Sequence, residues 1–293
     1  DSYRELYVQL LQKKGDYHTA LDEIAFHAKE LRQRPDLRME CLLAVGRFDE
    51  AESHGSELVR LDCSNQYFWA LYALALRANK NPLYRELMNY ENLTKVHQIP
   101  APSGFSSIDE FNRELSTYLH QIHRTKHHPL GQSVRHGTQT TGNLLLRHNS
   151  LVRALFEEFE KIISVELTED FFSAMPQNHP LKNACSKRRH IKSGWSVRVF
   201  EGGFHESHVH TRGCYSSAYY VDVPTAICSD QDKAGHLAFG LPGLSVPGDW
   251  PIEYSVQPRS GSLVLFPSYF WHGTFPFSGD GARLVVAFDV VLS

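Results

Sequence analysis

Seventeen histidines in 293 residues are unevenly spread, and three fall within six positions, in Phe204-His205-Glu206-Ser207-His208-Val209-His210. On a strand, side chains two apart project from one face, so His208 and His210 can converge on one point while His205 points away. Neutral imidazole is the commonest nitrogen ligand of iron, zinc and copper, and the pair reads as two arms of a metal site. His272 lies 62 residues beyond His210, where the apolar run that starts at Gly261 delivers the chain to a turn. Arg283 follows eleven residues later and opens the next strand. Three ligands on one face of a metal leave positions open for a bidentate co-substrate and dioxygen. A guanidinium one strand away can clamp a carboxylate by paired hydrogen bonds.

Elements able to position such a set can be read from periodicity. From about His190 the apolar period changes from 3.6 to 2. Strands are expected at Trp195–Phe200, Cys214–Val223, Gly235–Phe239, Ile252–Val256, Leu263–Phe266 and Arg283–Val291, separated by Gly/Pro-rich turns. Short strands with no intervening helix argue for a sandwich or jelly roll over a parallel βαβ sheet. Residues 1–97 read as helices. Gly15-Asp16-Tyr17-His18-Thr19-Ala20 returns 31 residues later as Gly46-Arg47-Phe48-Asp49-Glu50-Ala51, a spacing close to that of tetratricopeptide-type helix pairs. Residues 98–105, with two prolines and a glycine, form the expected linker. Residues 106–293 would hold the second domain, led by helices at 107–125 and 150–167 with a polar loop or short strand between. The fold class is therefore α+β.

Bulk properties set limits. The net charge of −3 gives no electrostatic case for nucleic acid or an anionic membrane, and the run Lys187-Arg188-Arg189 reads as solvated surface. No apolar run approaches the roughly 18 residues of a membrane span. Five scattered cysteines without metal spacing read as reduced thiols, which points to the cytoplasm. The chain starts at Asp1 with no signal-peptide pattern, and an upstream leader is left open.

His208-x-His210, Tyr219-Tyr220-Val221, Gly261 to Pro267, His272 and Arg283 together resemble the double-stranded β-helix oxygenases that use Fe(II) and 2-oxoglutarate. More narrowly they are similar to a bacterial group that places tetratricopeptide-like helices before this core. The stretches 132–140 and Gly194-Trp195-Ser196-Val197-Arg198 look typical of that group, and the resemblance covers about residues 128–293. It implies Fe(II), 2-oxoglutarate and O2 as cofactor and co-substrates, and hydroxylation as the default outcome. His208 and His272 match the two histidine ligands. Arg283 matches the residue that pairs with the distal carboxylate of 2-oxoglutarate, and Tyr220 a tyrosine bonded to the same group in prolyl hydroxylases.

His210 is the departure, because most of the superfamily has Asp or Glu there. It is taken here as the third ligand. A water could instead fill that place, as in the aspartyl/asparaginyl hydroxylases, or Glu206 or Asp222 could supply a carboxylate from a bulged strand. Substrate contacts are expected from Arg198, Gln139, Arg135 and Trp271, and a peptide, protein or small molecule is the expected substrate. A three-histidine cupin-type enzyme that ignores 2-oxoglutarate and a non-catalytic helical scaffold are the rival readings. His127 and His128 read as surface residues, His236 as a core histidine and Asp289 as the mark of an exposed face. Ser216 and Ser217 have no acid–base partner nearby in sequence, so a serine hydrolase finds no support.

Overall fold

Most strands follow the shift of period near residue 190 in a computed structural model, which describes residues 2–125, 131–228 and 233–293. The chain divides into two compact units. One runs up to Asn89 and takes in Pro242–Trp250; the other comprises Tyr90–Leu241 and Pro251–Ser293.

The first unit is helical: α1 (Ser2–Lys13), α2 (Tyr17–Phe26), α3 (Pro35–Ala44), α4 (Phe48–Leu61), α5 (Gln66–Ala78) and α6 (Leu83–Leu87). The repeated motif marks the turns of two successive hairpins. Gly15 and Gly46 follow α1 and α3 with φ of +77° and +74°, a left-handed conformation that glycine adopts without strain. Asp16 then caps α2 by accepting from the Thr19 amide, and the repeated alanines, Ala20 and Ala51, are fully buried.

The second unit opens with α7 (Tyr90–Leu93) and β1 (Lys95–Gln98). Helix was expected to residue 97. Instead β1 pairs antiparallel with β7 (Ser262–Pro267), Val96 opposite Val264. Four residues are too few for their own period to show, and an open sheet edge decides their conformation. The remaining elements are α8 (Ile108–Ile122), β2 (Val134–Gln139), α9 (Ser150–Glu166), α10 (Glu169–Ser173), β3 (Arg189–His205), β4 (Tyr215–Asp222), β5 (Leu237–Phe239), β6 (Tyr254–Val256), β8 (His272–Thr274) and β9 (Ala282–Leu292). They form a six-stranded antiparallel sheet, β1-β7-β4-β9-β3-β2, and a three-stranded sheet, β6-β5-β8.

Strand β9 explains why the last apolar run scarcely alternates: both its faces are covered. Phe288 packs against Phe156 and Phe159 of α9, with ring centroids 6.0 and 4.8 Å apart, and Phe159 also meets Tyr219 of β4 at 5.3 Å. α9 is seated by Asn149, whose side chain accepts from the Val152 amide. Beneath it, Gly194 lacks a Cβ that would overlap the Phe156 ring, so the helix lies close on β3. The other face of β9 presents Arg283, Val285, Ala287 and Asp289 to a cavity.

Candidate metal centre

That cavity, of about 510 Å³, is lined by both sheets: Trp195 and Val197 of β3, Ala218 and Tyr220 of β4, Leu237 of β5, Phe266 of β7, His272 and Thr274 of β8, and the four β9 residues. His205, His208 and His210 line it as well. The ligand atoms of His208, His210 and His272 all lie within 4.8 Å of one another. The expectation that His205 would turn away is corrected. β3 ends at His205, so strict strand alternation does not govern residues 206–210.

Two backbone devices bring the histidines together. His208 and His272 form an isolated antiparallel bridge with reciprocal N–H···O bonds of 2.9 and 3.0 Å. Gly273 makes this possible, because a Cβ there would lie 2.7 Å from the His205 carbonyl oxygen.

Each imidazole is then oriented through Nδ1. His208 Nδ1 bonds the Glu206 carbonyl at 2.8 Å, His272 Nδ1 the Phe270 carbonyl at 2.8 Å, and His210 Nδ1 the Asp289 carboxylate at 2.6 Å. These acceptors assign the Nδ1–H tautomer to all three rings and leave the Nε2 lone pairs pointing inward. The Nε2 atoms of His208 and His210 are only 3.3 Å apart. Two bare lone pairs that close repel unless a cation or proton lies between them. The separation suits neighbouring ligands on one ion, about 3 Å apart for metal–nitrogen bonds near 2.1 Å. The donor set therefore fits a divalent transition metal.

Electrostatics favour the uncharged rings that ligation needs. Burial, reinforced by His210, pulls the His208 pKa down to about 4. Burial, with His208 and His210, holds His272 well below the usual histidine range. Burial, followed by the charge of Arg283, does the same for His205, whose Nδ1 lies 3.1 Å from Ser133 Oγ.

Arg283 is 1% exposed. It donates to the Gly235 carbonyl and, at 2.9 Å, to Thr274 Oγ1, while its Nε has no partner among the described residues. Among those residues no carboxylate pairs with this buried cation, which lines the cavity. Burial lowers its pKa. Tyr220 is buried beside it, and burial pushes the phenol up to about 12 against the opposing influence of Arg283.

The other expected residues separate. Gln139 lines the cavity. Arg135 is held on the surface by Glu206 and by the carbonyls of Gln132 and Val134. Arg198 lies on the opposite face of β3, bonded to His120 of α8 and set over the Phe200 ring. Trp271, though 6% exposed, is not among the lining residues. Glu206 is occupied by Arg135 and Asp222 is exposed, so neither carboxylate faces the histidines. Asp289 does, and reading it as the mark of an exposed face missed this. Its parity with Arg283 along β9 was the available signal. His127, His128 and the side chain of Cys228 lie outside the described residues.

A family model described as "Putative 2OG-Fe(II) oxygenase" matches residues 193–289. No curated protein matches the chain. Among solved structures, a prolyl hydroxylase from Trichoplax adhaerens, in complex with a hypoxia inducible factor peptide fragment, is similar at 16% identity and a TM-score of 0.46, covering 73% of this chain and 91% of that one. A viral collagen prolyl hydroxylase from Paramecium bursaria Chlorella virus-1, as its 2-oxoglutarate complex, is similar at 11% identity and 0.43, covering 68% and 95%. HygX from Streptomyces hygroscopicus, with nickel, 2-oxoglutarate and hygromycin B bound, is similar at 13% identity and 0.42, covering 71% and 86%. These likenesses are distant. The matched segment, about a third of the chain, spans the three histidines and Arg283, and in that segment the chain is similar to the 2-oxoglutarate/Fe(II) oxygenases.

Proposed function

We propose that the protein is a 2-oxoglutarate- and Fe(II)-dependent dioxygenase that hydroxylates a peptide or protein. The observation that carries the reading is one cavity holding three Nε2-facing histidines and a buried arginine that pairs with no carboxylate among the described residues. His208, His210 and His272 would hold the iron, which supplies the oxidising chemistry once O2 and 2-oxoglutarate are bound. Arg283 and Tyr220 would take the distal carboxylate of the co-substrate through charge-assisted hydrogen bonds. Trp195 and Gln139 line the same cavity and would contact the substrate, while the apolar walls exclude water from the reacting atoms. Of the substrate contacts expected from sequence, Gln139 is retained.

The two sheets of the second unit are read as a double-stranded β-helix, and the helical hairpins as tetratricopeptide-like. Such stacked hairpins suit an extended chain, which supports a peptide substrate. Four described cysteines are free and no described helix is long and apolar enough to cross a membrane, in keeping with the cytoplasm.

The test is succinate formation from 2-oxoglutarate by the full chain with Fe(II), followed by mass analysis of peptide mixtures for addition of one oxygen atom. Turnover is expected in the wild type and none in His208→Ala or His272→Ala. Metal uptake without any binding of 2-oxoglutarate would select the cupin-type alternative, and no metal uptake would select the scaffold.

A further inference from the structure

We infer that Asp289 is a positioning residue of the metal centre, supplying through His210 the negative charge that a carboxylate ligand would supply directly. The inference rests on the reading of His210 as a ligand. Of the three converging histidines, two are oriented by neutral backbone carbonyls and one by a carboxylate. His210 Nδ1–H donates to Asp289 Oδ1 at 2.6 Å, so the carboxylate sits on the far side of the ring from Nε2. It polarises the imidazole from behind instead of joining the ligand set.

Asp289 is itself held in place. Ser216, opposite it in the β4–β9 register, donates its hydroxyl to the same oxygen at 2.8 Å, and the Ser216 and Ser268 hydroxyls lie 2.9 Å apart. Gly213 lets the loop after His210 close over this group, because a Cβ there would lie 3.2 Å from Asp289 Cβ and 2.7 Å from Ser268 Oγ. A divalent ion on three neutral imidazoles near the Arg283 cation would concentrate positive charge in a buried cavity. One carboxylate bonded to a ligand offsets part of it and raises that ligand's basicity.

The experiment measures Mn(II) affinity of the full chain by chelator competition, with thermal melting of the metal-free proteins alongside. Asp289→Asn is expected to bind Mn(II) about ten- to a hundred-fold more weakly, the usual range for losing a partner of a ligating histidine, with a near-wild-type melting temperature. Ser216→Ala is expected to weaken binding in the same direction by less, and it carries the test should the Asn variant misfold. In a His210→Ala background, Asp289→Asn should cost nothing further. His210→Asp, which places a carboxylate at the ligand position, should restore affinity in the Asp289→Asn protein. Asp289→Asn affinity within about two-fold of wild type, or an equal loss in the His210→Ala background, would overturn the inference and leave the metal reading standing. A wild type that takes up no Mn(II) would overturn both.

Discussion

Arg283 concentrates the functional question in one side chain, because it is a buried cation at the cavity wall whose Nε has no partner among the described residues. Replacing it by Gln should raise the KM for 2-oxoglutarate at least about ten-fold, as expected for losing a charge-assisted pair, while Mn(II) affinity stays near wild type. Initial-rate kinetics together with the chelator assay separate the two effects. A different residue governs pH behaviour. His123 sits between Thr138 Oγ1 at 2.8 Å and Ser196 Oγ at 3.0 Å, and burial, then Arg198 and His120, pull its pKa to about 4. The unfolded value is about 6.5. Between these values the unfolded chain takes up a proton that the folded chain refuses. The stability contributed by this group should therefore fall as pH drops from about 6.5 toward about 4. Urea midpoints across that window check this, and His123→Gln should flatten the slope without abolishing it, since burial depresses His179 to about 4 as well. At this scale His208, His210 and His272 were legible in sequence because few residue types can ligate a metal and two of the three stand two residues apart. Ser133 and Thr274 were not, because hydroxyls are common and their partners lie 72 and 9 residues away.

Elements were legible where both partners are long. α8 and α9 emerge from their period within a few residues, and so do β4, β7 and β9. The three-residue strand β8 was invisible, since His272–Thr274 becomes a strand only by pairing with β5. β3 was foreseen as six residues and extends over 17, because its ends are set by β9 and β2 and not by its own pattern. Contact between elements also fixes where no side chain fits. Gly194→Ala should destabilise the second unit by about 1–3 kcal/mol through overlap with Phe156, and Phe156→Leu should recover part of the loss. Denaturant titration of the two single variants and the double variant measures the coupling.

For the whole molecule, the compact units and the sequence order do not coincide, and truncations should reveal it. Pro247 packs near Gly46, and Arg77 lies over the Trp250 ring at 5.0 Å, so residues from between β5 and β6 complete the helical unit. A fragment of residues 1–97 lacks them and should melt below the same helices in the full chain. A fragment of residues 106–293 loses β1 and bares the edge of β7. It should aggregate where 90–293 stays monomeric, as light scattering would report. Residues 242–250 gave no helical signal, so no reading of periodicity could have joined them to α1–α6. One consequence of β9 remains. Arg283 and Asp289 share a face of one strand, and six residues at about 3.3 Å each set their backbones about 20 Å apart. The strand works as a pair of calipers with fixed jaws, one at the buried guanidinium and one behind the three histidines. A single inserted residue between them would turn one jaw outward.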